Sequence, residues 1–173
     1  MKTSHHSHWK ATVLLGMLAL LATCKGYEEG PAISLRGMEK RIIGYWRIDS
    51  YSVDGADSMQ IVKNLRLQGR WYFLSGQGFS EPYLRVVTNE NDTVHSFGGR
   101  WIPRDKGKKV GMFLDYQDAL VNGQTTRPFN IDTRPVIPSN NLSWTILRLT
   151  HREDMWLRLD RNGKRYELKF KSI

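Results

Sequence analysis

The sequence predicts an all-β domain, a small antiparallel up-and-down barrel of about eight strands. From Arg41 onward, short runs of alternating apolar and polar residues are separated by turn residues at fairly even spacing. No long stretch of 3.6-residue periodicity competes with that pattern. Six Trp, seven Tyr and six Phe in 173 residues supply the large apolar surfaces that a folded interior needs, and they set a disordered polar chain aside. The length suits one domain with one core.

Residues 1–10 are polar and weakly basic, and residues 11–22, ATVLLGMLALLA, form an unbroken apolar and small-residue run. That pattern is a secretory leader, and the run is short for a comfortable transmembrane helix. It stops at Leu21-Ala22-Thr23-Cys24, which resembles the bacterial lipobox, although Thr23 stands where Gly, Ala or Ser is usual. The resemblance implies that residues 1–23 are a cleaved lipoprotein signal peptide and that Cys24 is lipidated. Acyl chains such as palmitate on that cysteine would tether the chain to a membrane, since each buried methylene contributes about 0.8 kcal/mol and two or more chains anchor stably. Cys24 is the only cysteine, so an internal disulfide framework is excluded. His5, His6 and His8 fall within the leader and read as polar filler, so no metal site is expected.

Residues 24–40, with Glu28, Glu29, Gly30, Pro31 and Gly37, lack a periodic pattern and read as a lipidated tether. The barrel domain is then expected over residues 41–173. Its first strand, residues 42–51, places Ile42, Gly44, Trp46 and Ile48 on one face, and Asp54-Gly55 signals a turn. Residues 59–67 are compatible with a strand ending at Leu67 but read better as a short helix or irregular crossing, because Met59, Val62 and Leu65 would share a helix face. Strands follow at 70–74 and 83–88, with turns at 75–78 and 89–92.

Residues 93–102 form the next strand, in which Gly98-Gly99 suggests a bulge that curls the sheet. Pro103 is expected to end it. A strand at 108–116 precedes a long irregular stretch, residues 117–141, carrying Pro128, Pro135 and Pro138. A loop of that length in a compact domain is usually functional or mobile. The last third holds strands at 142–150, 155–160 and 165–171. Asn162-Gly163 is a strong type I′ hairpin signal between the last two. In the final strand Tyr166, Leu168 and Phe170 alternate with Glu167, Lys169 and Lys171, the signature of one buried and one solvated face.

Gly44-Tyr45-Trp46 is similar to the G-x-W motif in the first barrel strand of lipocalins. With the lipobox-like leader, the run Trp144-Thr145-Ile146-Leu147-Arg148-Leu149 and the closing hairpin, the chain resembles lipocalin-like bacterial lipoproteins of the Bacteroidetes type from residue 42 to its end. The resemblance implies a lipid-anchored protein of the bacterial cell envelope, at the outer membrane, that binds a small apolar ligand passively. It also implies a barrel motif and cavity built from Gly44, Trp46, Ile48 and Trp144, with either Arg158 or Arg165 packed on Trp46. The competing expectation is an envelope interaction module whose barrel is filled by its own side chains.

No catalytic residues and no cofactor are expected. The sequence has no G-x-S-x-G, no H-E-x-x-H, no phosphate-cradling glycine loop and no dinucleotide fingerprint, and outside the leader only His95 and His151 remain as imidazole bases. The net charge is +9, of which Lys2 and Lys10 in the leader supply two. The remainder favours anionic head groups or glycans, with Arg148, Arg152, Arg158, Arg161, Lys164, Arg165, Lys169 and Lys171 as the expected basic face. Export sets nucleic acid aside as a partner.

Overall fold

A computed structural model describes residues 37–76, 82–90, 93–121, 124–126, 132–137, 142–150 and 153–173. The expected leader, the expected anchor Cys24 and the expected tether up to residue 36 lie outside the described residues, as do His151 and Arg152. The chain runs through α1 (Met38–Ile42), β1 (Gly44–Val53), β2 (Ala56–Asp57), α2 (Met59–Asn64), β3 (Arg70–Leu74), β4 (Tyr83–Glu90) and β5 (Thr93–Arg104). A 3-10 turn at Asp105–Gly107 leads into β6 (Lys109–Val121), β7 (Gln124–Thr126), β8 (Trp144–Leu149), β9 (Asp154–Arg161) and β10 (Lys164–Ser172).

Eight of these strands form a closed antiparallel barrel in the order β1, β3, β4, β5, β6, β8, β9, β10, and β10 pairs back onto β1. Each strand neighbours the next in the chain, so the ring is up-and-down. β2 pairs only with β1 and β7 only with β6. Every strand of the ring lies within residues 44–172, so the span closes on itself, with α1 packed onto it. Closure pairs the two end strands of the sheet with each other, and the shortest seam of the ring is that of β6 with β8, which pair at Lys109–Thr145 and Val110–Trp144.

Alternation explains which side chains go inside. Trp46 and Ile48 from β1, Trp71 and Phe73 from β3, Leu84 and Val86 from β4, and Leu168 and Phe170 from β10 are all buried in one core cluster. The closing hairpin turns as its sequence requires, with Asn162 at φ 53° and Gly163 at φ 72°, the two positive values of a type I′ turn.

Four expectations are corrected. Ile42 is not in the first strand but ends α1, and Met38–Lys40, expected in the tether, form that helix's first turn. Met38, Arg41 and Ile42 are buried against the barrel, and five residues are too few to display helical periodicity in sequence. β5 continues through Pro103 to Arg104, because β4 pairs with it only as far as Arg100. Pro103 therefore has a strand partner only on the β6 side, where it lies opposite Val110, and a proline is tolerated on such a local edge.

The third correction concerns residues 117–141. β6 runs on to Val121 and β7 pairs with it. Against β5 the register slips between Gly98 and Gly99, whose partners are Tyr116 and Leu114, so Asp115 is bulged. Val110 and Met112 point inward before the bulge and Ala119 after it, so the even-numbered pattern becomes odd. The fourth concerns the rest of that stretch. The turn over residues 132–137 buries Val136 and Ile137 in the core, and Tyr51 Oη donates to Pro135 O at 2.6 Å. Burial, and then the neighbouring Tyr166, raises the Tyr51 phenol to about 12, so it donates at any physiological pH.

Candidate functional site

The two ends of the barrel are closed by different devices. α1 sits at the end that holds the β3–β4, β5–β6 and β8–β9 connections. Trp46, 1 % exposed, fixes it there by donating from Nε1 to Ile42 O at 2.8 Å. Trp71 repeats the arrangement, donating to Leu67 O at 2.8 Å and so fastening the segment after α2. At the opposite end the 132–137 turn and α2, through Val62, cover the core.

Between these closures the interior is occupied by rings. Trp71 meets Phe170 edge-on at 5.2 Å between centroids, Phe73 meets Phe170 at 6.2 Å, and Phe73 meets Trp101 at 6.0 Å. Trp46, Trp71, Phe73, Trp101, Trp144 and Phe170 each retain at most 1 % of their surface. A side chain lining a cavity large enough for a ligand would keep accessible surface facing that cavity, and these do not.

The expected motif residues therefore separate into two groups. Trp46, Ile48 and Trp144 lie in the core, and Gly44 opens β1 at φ 151°, a conformation that a side chain would strain. Arg158 and Arg165 lie elsewhere. In β9 the inward residues are Met155, Leu157 and Leu159, and in β10 they are Leu168 and Phe170, so both arginines project from the outer face. Arg158 Nε lies 3.6 Å from Asp160 and Arg165 Nε 3.5 Å from it. Neither is positioned to pack on Trp46. Among the described arginines the buried one is Arg41, at 5 % exposure in α1, five residues before Trp46.

Comparison with protein-family models, with curated proteins and with solved structures finds no match to this chain. Its functional reading rests on its own geometry.

A polar cluster that the sequence did not reveal lies at the end closed by the 132–137 turn. His95 is 4 % exposed, and Arg66 Nη1 approaches its Nδ1 at 3.1 Å. An arginine nitrogen can only donate, so Nδ1 accepts and the imidazole is neutral. Burial, and then the Arg66 charge, lowers the His95 pKa below its usual value, with Glu90 partly opposing them. Arg66 Nε lies 3.6 Å from Glu90, and Gln68 Nε2 donates to the same carboxylate. Thr88 Oγ1 ties the segment down by donating to Arg66 O at 2.7 Å. His95 faces Thr88 across β4 and β5, a pairing that becomes visible only once the register is known.

This cluster makes stability depend on pH. The folded His95 binds its proton less readily than the unfolded one, so stability is fully present above the ordinary value of 6.5 and is lost as pH falls through the lowered folded value. Acidification from neutral to about pH 5 is expected to lower the melting temperature, and His95→Asn is expected to flatten that dependence. Thermal unfolding followed by circular dichroism across this range checks it; parallel curves for the two proteins would show that another group is responsible.

On the outer surface, Trp156 is flanked by Lys169 Nζ at 4.2 Å and Arg148 Cζ at 5.0 Å from its ring centroid. Arg148 also reaches Asp154 at 3.5 Å. Much of the expected basic face is thus neutralised or stacked locally. Among the described residues no group of three or more His, Cys, Asp or Glu could hold a metal ion, and no helix is long and apolar enough to cross a membrane.

Proposed function

We propose that this chain is a lipid-anchored protein of the bacterial cell envelope, held through Cys24, whose barrel is a filled, rigid module that presents its outer surface to a partner. The observation that carries the second half of this reading is the packed layer of Trp71, Phe73, Trp101 and Phe170, with the buried Trp46 opposite Trp71 in the ladder. Ligand-binding barrels hold pockets of about 300 Å³ or more, and a layer of rings in mutual contact takes up that space. The leader-like segment and lone cysteine support the first half.

Passive binding of a small apolar molecule is the second reading, and one observation favours it. Trp144 Nε1 is buried with no hydrogen-bond acceptor among the described residues. An unsatisfied buried donor costs about 1–3 kcal/mol, and a ligand oxygen would relieve it. Extracting the purified protein with organic solvent and titrating it with fatty acids separates the two readings. The filled-module reading expects no stoichiometric ligand and unchanged tryptophan fluorescence. A co-purified apolar molecule, or a saturable fluorescence change abolished in Trp144→Phe, would establish the carrier instead.

A further inference from the structure

On β10, β1 and β3, three cations stand side by side. Lys171 lies opposite Arg47 and Arg47 lies opposite Arg70 in the ladder register, and all three project outward and are exposed. Among the described residues none has a carboxylate within ion-pair distance. Asp154, which flanks the row across from Lys171, is already engaged with Arg148 at 3.5 Å. Like charges directly opposite one another destabilise a sheet, so an unneutralised row of three carries a cost that the fold itself does not require.

Next to this row lies an exposed apolar patch. Ile43, Tyr45 and Ile173 are 36 %, 55 % and 50 % exposed, the most exposed large hydrophobic residues of the structure together with Ile61. Ile43, Tyr45 and Ile173 line one shallow groove with Leu74, and Ile173 also lines the adjoining groove, which contains Arg47, Arg70 and Tyr72. Ile173 N donates to Tyr45 O at 3.2 Å, and the Tyr45 and Tyr72 rings meet edge-on at 5.3 Å. The apolar patch and the cationic row are therefore one continuous surface. It borders α1, the element where the described chain begins.

We infer that this surface docks the barrel directly onto an anionic phospholipid membrane, with Ile43, Tyr45 and Ile173 entering the headgroup boundary and Lys171, Arg47 and Arg70 meeting lipid phosphates. A soluble acidic polymer would satisfy the cations but leave the isoleucines in water. A bilayer interface satisfies both, because aliphatic and tyrosine side chains partition into it while basic residues next to it gain from its negative potential. The position along the chain agrees. Gly37 is 13 residues after Cys24, and such a segment reaches about 45 Å at most. The inference rests on the membrane-anchored reading for its occupant, and it gives the lipid a second contact on the protein itself.

The test uses residues 25–173, which contain the whole closed barrel and lack Cys24, so its result does not depend on whether that cysteine is lipidated. Co-sedimentation is measured with vesicles of phosphatidylcholine, with and without phosphatidylglycerol, at low and high salt. The native sequence is expected to favour the anionic vesicles in a salt-sensitive way. Two variants, Arg47→Gln/Arg70→Gln/Lys171→Gln and Ile43→Ser/Tyr45→Ser/Ile173→Ser, are each expected to lose roughly tenfold or more in partitioning. A control, Arg161→Gln/Lys164→Gln/Arg165→Gln, removes the same charge at the opposite end of the barrel and is expected to keep the binding. Equal binding by all four proteins, or equal loss in the control, would overturn the inference. So would a dimer in solution that the apolar variant dissolves, because a second copy would then be the occupant.

Discussion

Trp46→Ala is expected to destabilise the domain by about 3–5 kcal/mol, the range for truncating a fully buried large aromatic. Two losses combine in that figure. The ring leaves a void at the α1 end of the barrel, and the hydrogen bond from Nε1 to Ile42 O disappears, so the last turn of α1 loses its fastening to β1. For a domain of this size the melting temperature should fall by roughly 10–20 °C. Trp46→Phe retains most of the apolar area and isolates the second loss, with an expected cost of about 1–3 kcal/mol. Trp156→Ala, at a half-buried outer position flanked by Lys169 and Arg148, should cost distinctly less than Trp46→Ala. Thermal or urea unfolding of the three proteins checks the order, and a Trp46→Ala protein as stable as the native one would remove Trp46 from the role of closing the barrel.

Cys24→Ser is expected to abolish lipid attachment completely, an all-or-none effect because no other thiol exists in the chain. Metabolic labelling with a fatty-acid probe should mark the native protein and leave the variant blank. The variant should also partition into the aqueous phase after detergent extraction, unless its uncleaved leader retains it. Mass spectrometry of the N-terminus distinguishes these states. Equal labelling of both proteins would mean that the lipobox resemblance misidentifies the anchor.

Much of the fold was legible because in most strands one face is buried and the other is wet. In β10 the alternation of Tyr166, Leu168 and Phe170 with Glu167, Lys169 and Lys171 marks the strand without further information, and Asn162-Gly163 can hardly form anything but a tight hairpin. The failures fall where a local rule is overridden by a neighbour. Asp115 bulges, and the inward set changes parity, so β6 looks finished at Tyr116 although its pairing continues for five residues more. Pro103 breaks strands in general, but here β4 has already ended beside it. Ile42 continues an apolar alternation and yet belongs to a helix, because Trp46 captures its carbonyl.

The candidate site was legible to a lesser degree. Trp46 and Ile48 could be assigned to the interior from alternation, whereas Trp144, also in the core, was expected there through the lipocalin resemblance. The arginine expected on Trp46 could not be placed, because Arg158 and Arg165 face outward once their strands are paired. The row of Lys171, Arg47 and Arg70 joins residues that are distant in sequence, and only the ladder register brings them together. The same holds for Arg66 and His95.

The pairing of β1 with β10 also governs the order in which the molecule can be built. Trp46 faces Ser172 across that seam, so the first strand of the barrel to leave the ribosome needs as its partner the last one of the barrel to arrive. Until β10 is delivered, β1 has one unpaired side and an apolar face that includes Trp46 and Ile48. Strands with open edges invite pairing with other chains, and closing a loop of this length adds an entropic cost to the final step. A chain truncated before Lys164 would therefore stay an open sheet, and its failure should be aggregation rather than a loosened barrel. The interval between synthesis of β1 and synthesis of β10 is therefore the one in which the growing chain is open to aggregation.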